Sequence, residues 1–238
     1  MVKGVLIDYG GTIDTNGLHW GAVLWDSYQR HQLPVEKADF ALAYAFGERS
    51  LALHPIIQPQ HTFYDTLYLK TDRQFAFLRE KGYTLDDAFV GAIARDCDRF
   101  AQETVAQARP TLAALADRYP LVLVSNFYGN INTVLEVFEI RSLFRHVVES
   151  AVVGIRKPNP AIYRLGADLV GLPPQECVVI GDSFAKDIVP AKELGCRTLW
   201  LKVQGWEEPA AQPGLAQSAD VELTDFSQSI EAIRNLNQ

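Results

Sequence analysis

The chain has 238 residues, 48% of them hydrophobic and 21% charged, with 22 Lys and Arg against 29 Asp and Glu and a net charge of −7. That composition supports a packed globular core, and its acidic balance argues against an electrostatic grip on nucleic acid or on an anionic membrane. A phosphorylated ligand would meet the same repulsion, so any phosphate site has to supply a local cation, a metal or a lysine.

The N-terminus runs from Met1 into Val5-Leu6-Ile7 with no basic segment and no longer apolar stretch. No later apolar run approaches the length of a membrane span. A cytoplasmic location is the expectation. Val5–Ile7 reads as the first strand and ends at Asp8. From Thr15 to Ala108 strand signal is weak, whereas Trp20, Val23, Leu24 and Tyr28 recur at helical spacing, as do Phe75, Leu78 and their neighbours. This stretch is read as a helical insertion.

Strand–helix alternation then takes over. Leu121–Val124 is apolar on both faces and ends at Ser125, Cys177–Ile180 ends at Gly181-Asp182, and Thr198–Leu201 ends at Lys202. Val147-Val148 and Val221–Leu223 are weaker strand candidates. Runs without alternation suit central parallel strands covered by helices. Helices are expected over Asn130–Phe138, over Pro160–Val170 with Gly171 beyond its end, and from near Asp187 or Ile188 toward Gly195, because Pro190 is best tolerated in a first turn. Glu207–Ala219, rich in Pro, Ala and Gln, reads as a surface loop. Cys97, Cys177 and Cys196 have no metal-like spacing, and Cys177 and Cys196 border apolar runs, so both are expected reduced and partly buried. The pattern predicts an α/β fold with a doubly wound parallel sheet. Its domains are a core of residues 1–14 and 109–238 and a helical cap of residues 15–108.

In open α/β sheets ligands gather beyond the carboxyl ends of the strands. Asp8, Ser125 and Asp182 follow three of the strands, and Lys157 lies in a loop between the second and third. Two carboxylates, a hydroxyl and an ammonium at one edge suit magnesium-assisted phosphoryl transfer: one carboxylate attacks phosphorus while cations neutralise the phosphoryl oxygens.

These residues sit in four ordered motifs. Asp8-Tyr9-Gly10-Gly11-Thr12 resembles the Asp-x-Asp-Gly-Thr motif of the haloacid dehalogenase-like (HAD) superfamily with one substitution. Ser125-Asn126 resembles its second motif, Gly154 through Pro160 its third, and Gly181 through Asp187 its fourth, Gly-Asp-x-x-x-x-Asp. The resemblance implies a Rossmann-like HAD core with a helical C1 cap inserted after the first strand. It makes Asp8 the nucleophile, with Thr12, Ser125 and Lys157 as the other catalytic residues. Tyr9, Gly10, Ser125, Asn126 and Lys157 become the expected substrate contacts. Asp8, the Gly10 carbonyl, Asp182 and Asp187 become the surroundings of a Mg2+ ion.

The departure from the family is Gly10, where HAD phosphatases carry the Asp that protonates the leaving oxygen and then activates water. Such assistance is worth roughly 10²–10⁴ in rate. Haloacid dehalogenases also lack this Asp but need no metal. Phosphonoacetaldehyde hydrolases carry a small residue here but need a cap lysine, and this cap offers Lys37, Lys70 and Lys81 in no context that resembles theirs. Asp14 or His19 is a further possible source of the proton, although Asp14 equally reads as a hinge cap and His19 as a packing residue. Substrate choice falls to the cap, where Tyr44, Arg49 and His54 are candidates that each read equally as solvated helix residues. The expectation is a magnesium-dependent hydrolase of a small phosphorylated metabolite, weak on ordinary phosphate esters and better on acyl phosphates or phosphoanhydrides. The alternative is a non-catalytic protein that binds magnesium and a phospho-ligand.

Overall fold

The computed structural model describes residues 1–202 and 219–238. Six strands form one parallel sheet in the order β3-β2-β1-β4-β5-β6. β1 (Gly4–Ile7) is followed by four helices: α1 (Trp20–Arg30), α2 (Lys37–Leu53), α3 (Phe63–Glu80) and α4 (Ala88–Ala116). Then come β2 (Leu121–Ser125), α5 (Ile131–Val137), β3 (His146–Glu149), the single turn α6 (Ser150–Val153) and α7 (Ala161–Leu169). The chain continues through β4 (Cys177–Gly181), a π-helical turn over Phe184–Ile188, α8 (Val189–Glu193), β5 (Arg197–Leu201), β6 (Val221–Leu223) and α9 (Ser229–Leu236).

The expected doubly wound sheet is present, and both weak strand candidates are real strands. The central strands are buried throughout. Successive residues therefore feed two different cores. Val5, Ile7, Leu121, Leu123, Val178 and Ile180 face a core shared with α4, α5 and α9. Leu6, Val122, Val124 and Val179 face one built on α7 and α8 with Ile162, Tyr163 and Ala191. Each fully buried aliphatic side chain contributes about 1.5–3 kcal/mol, so the strand ends that carry chemistry are held by the best-packed part of the molecule. All three cysteines are free and buried, more deeply than the sequence reading had Cys177 and Cys196. Among the described residues no helix is long and apolar enough to cross a membrane.

Two details differ from what the sequence predicts. The boundary expected between residues 108 and 109 falls inside α4, a continuous 29-residue helix that packs on both α3 and α9. Pro110 lies within it. The hydrogen bond it removes would have gone to the carbonyl of Ala106, on the solvent side, where water can replace it. The helix expected from Asp187 or Ile188 starts earlier, as a π turn capped by the Ser183 hydroxyl, which accepts from Lys186 N at 3.3 Å. Pro190 cannot donate back to Lys186, which is consistent with the wider turn. The loop expected over Glu207–Ala219 lies, but for its last residue, outside the described residues.

Candidate active site

A cleft of about 300 Å3 lies where the carboxyl ends of β1, β2 and β4 meet the cap. Asp8 is the first residue past β1, and its amide donates to Ile180 O at 2.9 Å, so the β1–β4 ladder fixes where its carboxylate begins. Lys157 Nζ donates to Asp8 Oδ1 at 2.6 Å and to Asp187 Oδ1 at 2.8 Å. Thr12, fully buried, donates to Asp182 Oδ1 at 3.2 Å. Ser125 ends β2 and lines the cleft beside Asp8. The site residues expected from four separate motifs are thus brought to one edge of the sheet.

Two of the expected contacts have other partners in the fold. Tyr9 is completely buried and sits edge-on against Phe63 and Phe127, 6.1 Å and 5.8 Å between ring centres, and does not line the cleft. Asp8 takes the cleft side of the chain, and the apolar ring beside it goes to the core. Asn126 lines the cleft, but both ends of its amide are used on the backbone of Lys157: Oδ1 accepts from Lys157 N at 2.9 Å and Nδ2 donates to Lys157 O at 3.2 Å. It positions the lysine. Asp187 is likewise committed, with Oδ1 taking Lys157 and the Tyr163 hydroxyl (2.6 Å) and Oδ2 taking Ser183 N (3.0 Å). Tyr163 was not anticipated; its place at the start of a helical pattern gave no sign that its hydroxyl would be buried beside an acid.

The electrostatics follow from this crowding. Burial lifts the Asp8 carboxyl to about 6 even with Lys157 opposing. Burial, reinforced by Asp8 and Asp187, lifts Asp182 well above the ordinary carboxylate value. Burial also works against the Lys157 ammonium, yet the Asp187 and Asp8 carboxylates outweigh it and hold its pKa above the usual lysine value. Oxygens of Asp8, Asp182 and Asp187 lie within 4.8 Å of one another. Three carboxylates with one lysine leave an excess of negative charge, and oxygen donors in this number suit a hard divalent cation. The residues fit such an ion.

Glycine decides the loop. Gly11 has φ +91°, and a Cβ there would lie 2.5 Å from the Asp182 carboxyl carbon. Replacing Gly11 with Ala should therefore cost at least about 2 kcal/mol, roughly 4–8 °C in Tm for a chain of this size. A melt displaced by less than 1 °C, roughly the precision of such a scan, would show that the loop has another path. Gly10 differs: its φ is not in the left-handed region, and a Cβ would meet no heavy atom within 4 Å.

The two alternative acids are both in the cleft wall. Asp14 accepts from Gly11 N at 2.7 Å and from Trp20 Nε1 at 2.9 Å, so it joins the strand-end loop to the first cap helix, and burial pushes its carboxyl to about 7. His19 caps α1, its Nδ1 accepting from Gly21 N at 2.9 Å. Burial, helped by Lys186, lowers its pKa, so a neutral imidazole is the resident form.

From the cap, Tyr44 reaches the cleft while Arg49 and His54 are exposed and outside its lining. The residue one turn after Tyr44 on α2 is Glu48, which the sequence reading passed over. Lys70, from α3, meets it at 2.5 Å. Gly47 makes this approach possible, because a Cβ there would stand 3.3 Å from Lys70 O and 3.1 Å from Gln74 Cγ. Burial disfavours the Lys70 ammonium, but Glu48 and Tyr44 keep its pKa above normal. A lysine held protonated in this way is poorly suited to imine formation.

Residues 2–195 match the haloacid dehalogenase-like hydrolase family. The chain is similar to the glyceraldehyde 3-phosphate phosphatase of Pyrococcus abyssi, 29% identical over 73% of this chain and 68% of that one. It is also similar to the enzyme of the same name from Pyrococcus furiosus, 29% identical over 42% of this chain, and spans only 40% of that relative's length. Its fold resembles the magnesium-bound HAD-hydrolase YfnB of Bacillus subtilis, with a TM-score of 0.59 and 18% identity over 100% of this chain and 99% of the other.

Proposed function

The chain belongs to the haloacid dehalogenase-like hydrolase family, and from that premise we propose that it is a magnesium-dependent phosphohydrolase of a small phosphorylated metabolite, working through an aspartyl-phosphate at Asp8 and lacking the usual acid–base group at position 10. The observation that carries this reading is the Asp8–Lys157–Asp187 chain of contacts beside Asp182 and Ser125 at adjoining strand ends. Phosphatase relatives act on small phosphorylated substrates, as the names of those in Pyrococcus state.

Asp8, Asp182 and the Gly10 carbonyl would hold the ion, with Asp187 setting the loop around it. When bound, magnesium neutralises phosphoryl oxygens and screens the carboxylates from one another. Lys157 fixes one oxygen of Asp8 and would neutralise a phosphoryl oxygen brought beside it. The Asp8 carboxylate attacks phosphorus, forming an O–P bond as the ester O–P bond breaks, and the Ser125 hydroxyl donates to a phosphoryl oxygen. Water then cleaves the aspartyl-phosphate, releasing phosphate and restoring Asp8. Both half-reactions need proton transfer, to the leaving oxygen and then from water, and Gly10 provides no group for it. The missing assistance corresponds to about 2.7–5.5 kcal/mol of barrier for a basic leaving group. Acyl phosphates and anhydrides, whose leaving groups are weakly basic, lose less.

The empty side-chain position at Gly10 also favours a second reading, a protein that binds magnesium and a phospho-ligand without turnover. Phosphate release from a panel of acyl phosphates, anhydrides and alkyl esters, with magnesium and with a chelator, separates the two. Catalytic release that needs the metal supports the enzyme. Saturable thermal stabilisation without release supports the binder.

The metal reading has its own check. Magnesium should raise the melting temperature of the wild type, and most of that shift should vanish in Asp182→Ala, which removes a charged ligand from the cluster. Equal shifts in both proteins would place the ion elsewhere.

A further inference from the structure

Glu48 and Lys70 form an ion pair in the cap wall of the cleft. Lys70 is 7% exposed, and its ammonium also lies over the Tyr128 ring at 5.5 Å. The Tyr128 hydroxyl, from the loop after β2, donates to the second oxygen of Glu48 at 2.7 Å. The pair therefore bridges α2, α3 and the core, and it lines the same cleft as Asp8. Nothing in the phosphate chemistry uses it.

Resting on the phosphohydrolase reading above, we infer that the Glu48–Lys70 pair is the leaving-group subsite and that, among phosphate monoesters, it favours those of small polyhydroxy compounds over those with a charged leaving group, whatever the absolute rate set by Gly10. The argument is one of charge and hydrogen-bonding sign. As a unit the pair is neutral. A carboxylate or second phosphate on the substrate would gain Lys70 and meet Glu48, whereas an ammonium would gain Glu48 and meet Lys70. Either charged group would lose its water for one favourable and one unfavourable neighbour. A hydroxyl escapes this conflict, since it donates to Glu48 and accepts from Lys70 at once. Adjacent hydroxyls extend the match to the two Glu48 oxygens. Trp20, Tyr44, Phe127 and Tyr128 supply aromatic surface in the same cleft, which suits the C–H faces of a polyol. The volume, about 300 Å3, is at the small end of ligand sites, which run from roughly 300 to 1,000 Å3. It must hold the phosphoryl group as well, so the leaving group is small.

The test reads a ratio. kcat/KM with magnesium is measured for glycerol, pentose and hexose phosphates, for phosphoserine, and for p-nitrophenyl phosphate, which offers no hydroxyl. The proteins are wild type, Glu48→Gln, Lys70→Met and the double variant, which removes both charges and so leaves neither buried alone. The expected wild type prefers polyol phosphates to phosphoserine, and each variant lowers the polyol-to-p-nitrophenyl ratio by about tenfold, the usual effect of leaving a substrate hydroxyl half-paired. A wild-type preference for phosphoserine would overturn the inference. So would equal losses on both substrates in folded variants, the mark of a purely structural pair. A binding measurement covers the case in which nothing turns over: in magnesium, glycerol phosphate should stabilise the wild type beyond inorganic phosphate, and this excess should vanish in the double variant. If it does not, the subsite is refuted. Absence of any phosphate release would instead refute the phosphohydrolase reading, so the two failures remain distinct.

Discussion

Replacing Asp8 with Asn should reduce magnesium-dependent phosphate release to the buffer background, a loss of at least about 10³-fold. The substitution keeps the shape of the side chain and removes the charge that attacks phosphorus. Its structural cost is contained, because Lys157 keeps its bond to Asp187 and the backbone position is set by the bond from Asp8 N to Ile180 O. A folded Asp8→Asn protein is therefore expected, and far-ultraviolet circular dichroism with a thermal melt checks it. Retention of more than a tenth of the wild-type rate in that folded protein would remove Asp8 from the nucleophile role. The chemistry would then be direct attack by water, with Asp8 serving only as a ligand. This variant also guards the substrate panel against contaminating phosphatases, since such activity would survive the change unaltered.

The strand-end part of the core site was legible in the sequence because three of its groups lie at the ends of apolar runs. Asp8, Ser125 and Asp182 directly follow or close apolar runs, and a parallel sheet brings the carboxyl ends of such runs together by construction. The cap was legible only as helical. Glu48 and Lys70 belong to different helices, and their meeting depends on the rotation of α2 about its axis and on the close approach that Gly47 permits. A misjudged phase by one residue separates Glu48 from the exposed Arg49. Tyr9 shows the converse limit. Adjacency to a nucleophile in sequence implies little about adjacency in space, since neighbouring side chains leave an extended segment on opposite sides. Asn126 is expected among the substrate contacts with Ser125, and it lines the cleft. Its amide pairs with the backbone of a residue thirty-one positions away, which no local pattern records. The boundary between cap and sheet domain is obscured because α4 packs both on the cap helix α3 and on α9 without a break in the helix.

Gly10→Asp should raise the rate of alkyl phosphate hydrolysis by at least about tenfold, a cautious share of the 10²–10⁴ that acid–base assistance supplies. The geometry is favourable. A Cβ at position 10 meets no heavy atom within 4 Å, and φ there is not left-handed, so a Cβ can be added without bending the loop. That separates it from Gly11, where the Asp182 carboxylate blocks any substituent. The gain should depend on the leaving group: large for alkyl esters, small for acyl phosphates, whose departure needs little protonation. Asp8→Asn combined with Gly10→Asp should stay inactive, because an acid without a nucleophile has nothing to assist. The rival source of the proton is Asp14, buried in the same wall with its pKa lifted to about 7. Asp14→Asn decides between them. If Asp14 already serves as the acid, its loss lowers the alkyl phosphate rate more than the acyl phosphate rate, and Gly10→Asp adds little to the wild type but restores the Asp14→Asn protein. If Asp14 only ties the loop to Trp20, its loss affects both substrates alike and Gly10→Asp shows its full gain in the wild type. A folded Gly10→Asp protein with no gain in either background would mean that proton transfer does not limit this site, and the account of Gly10 as a missing acid would fall.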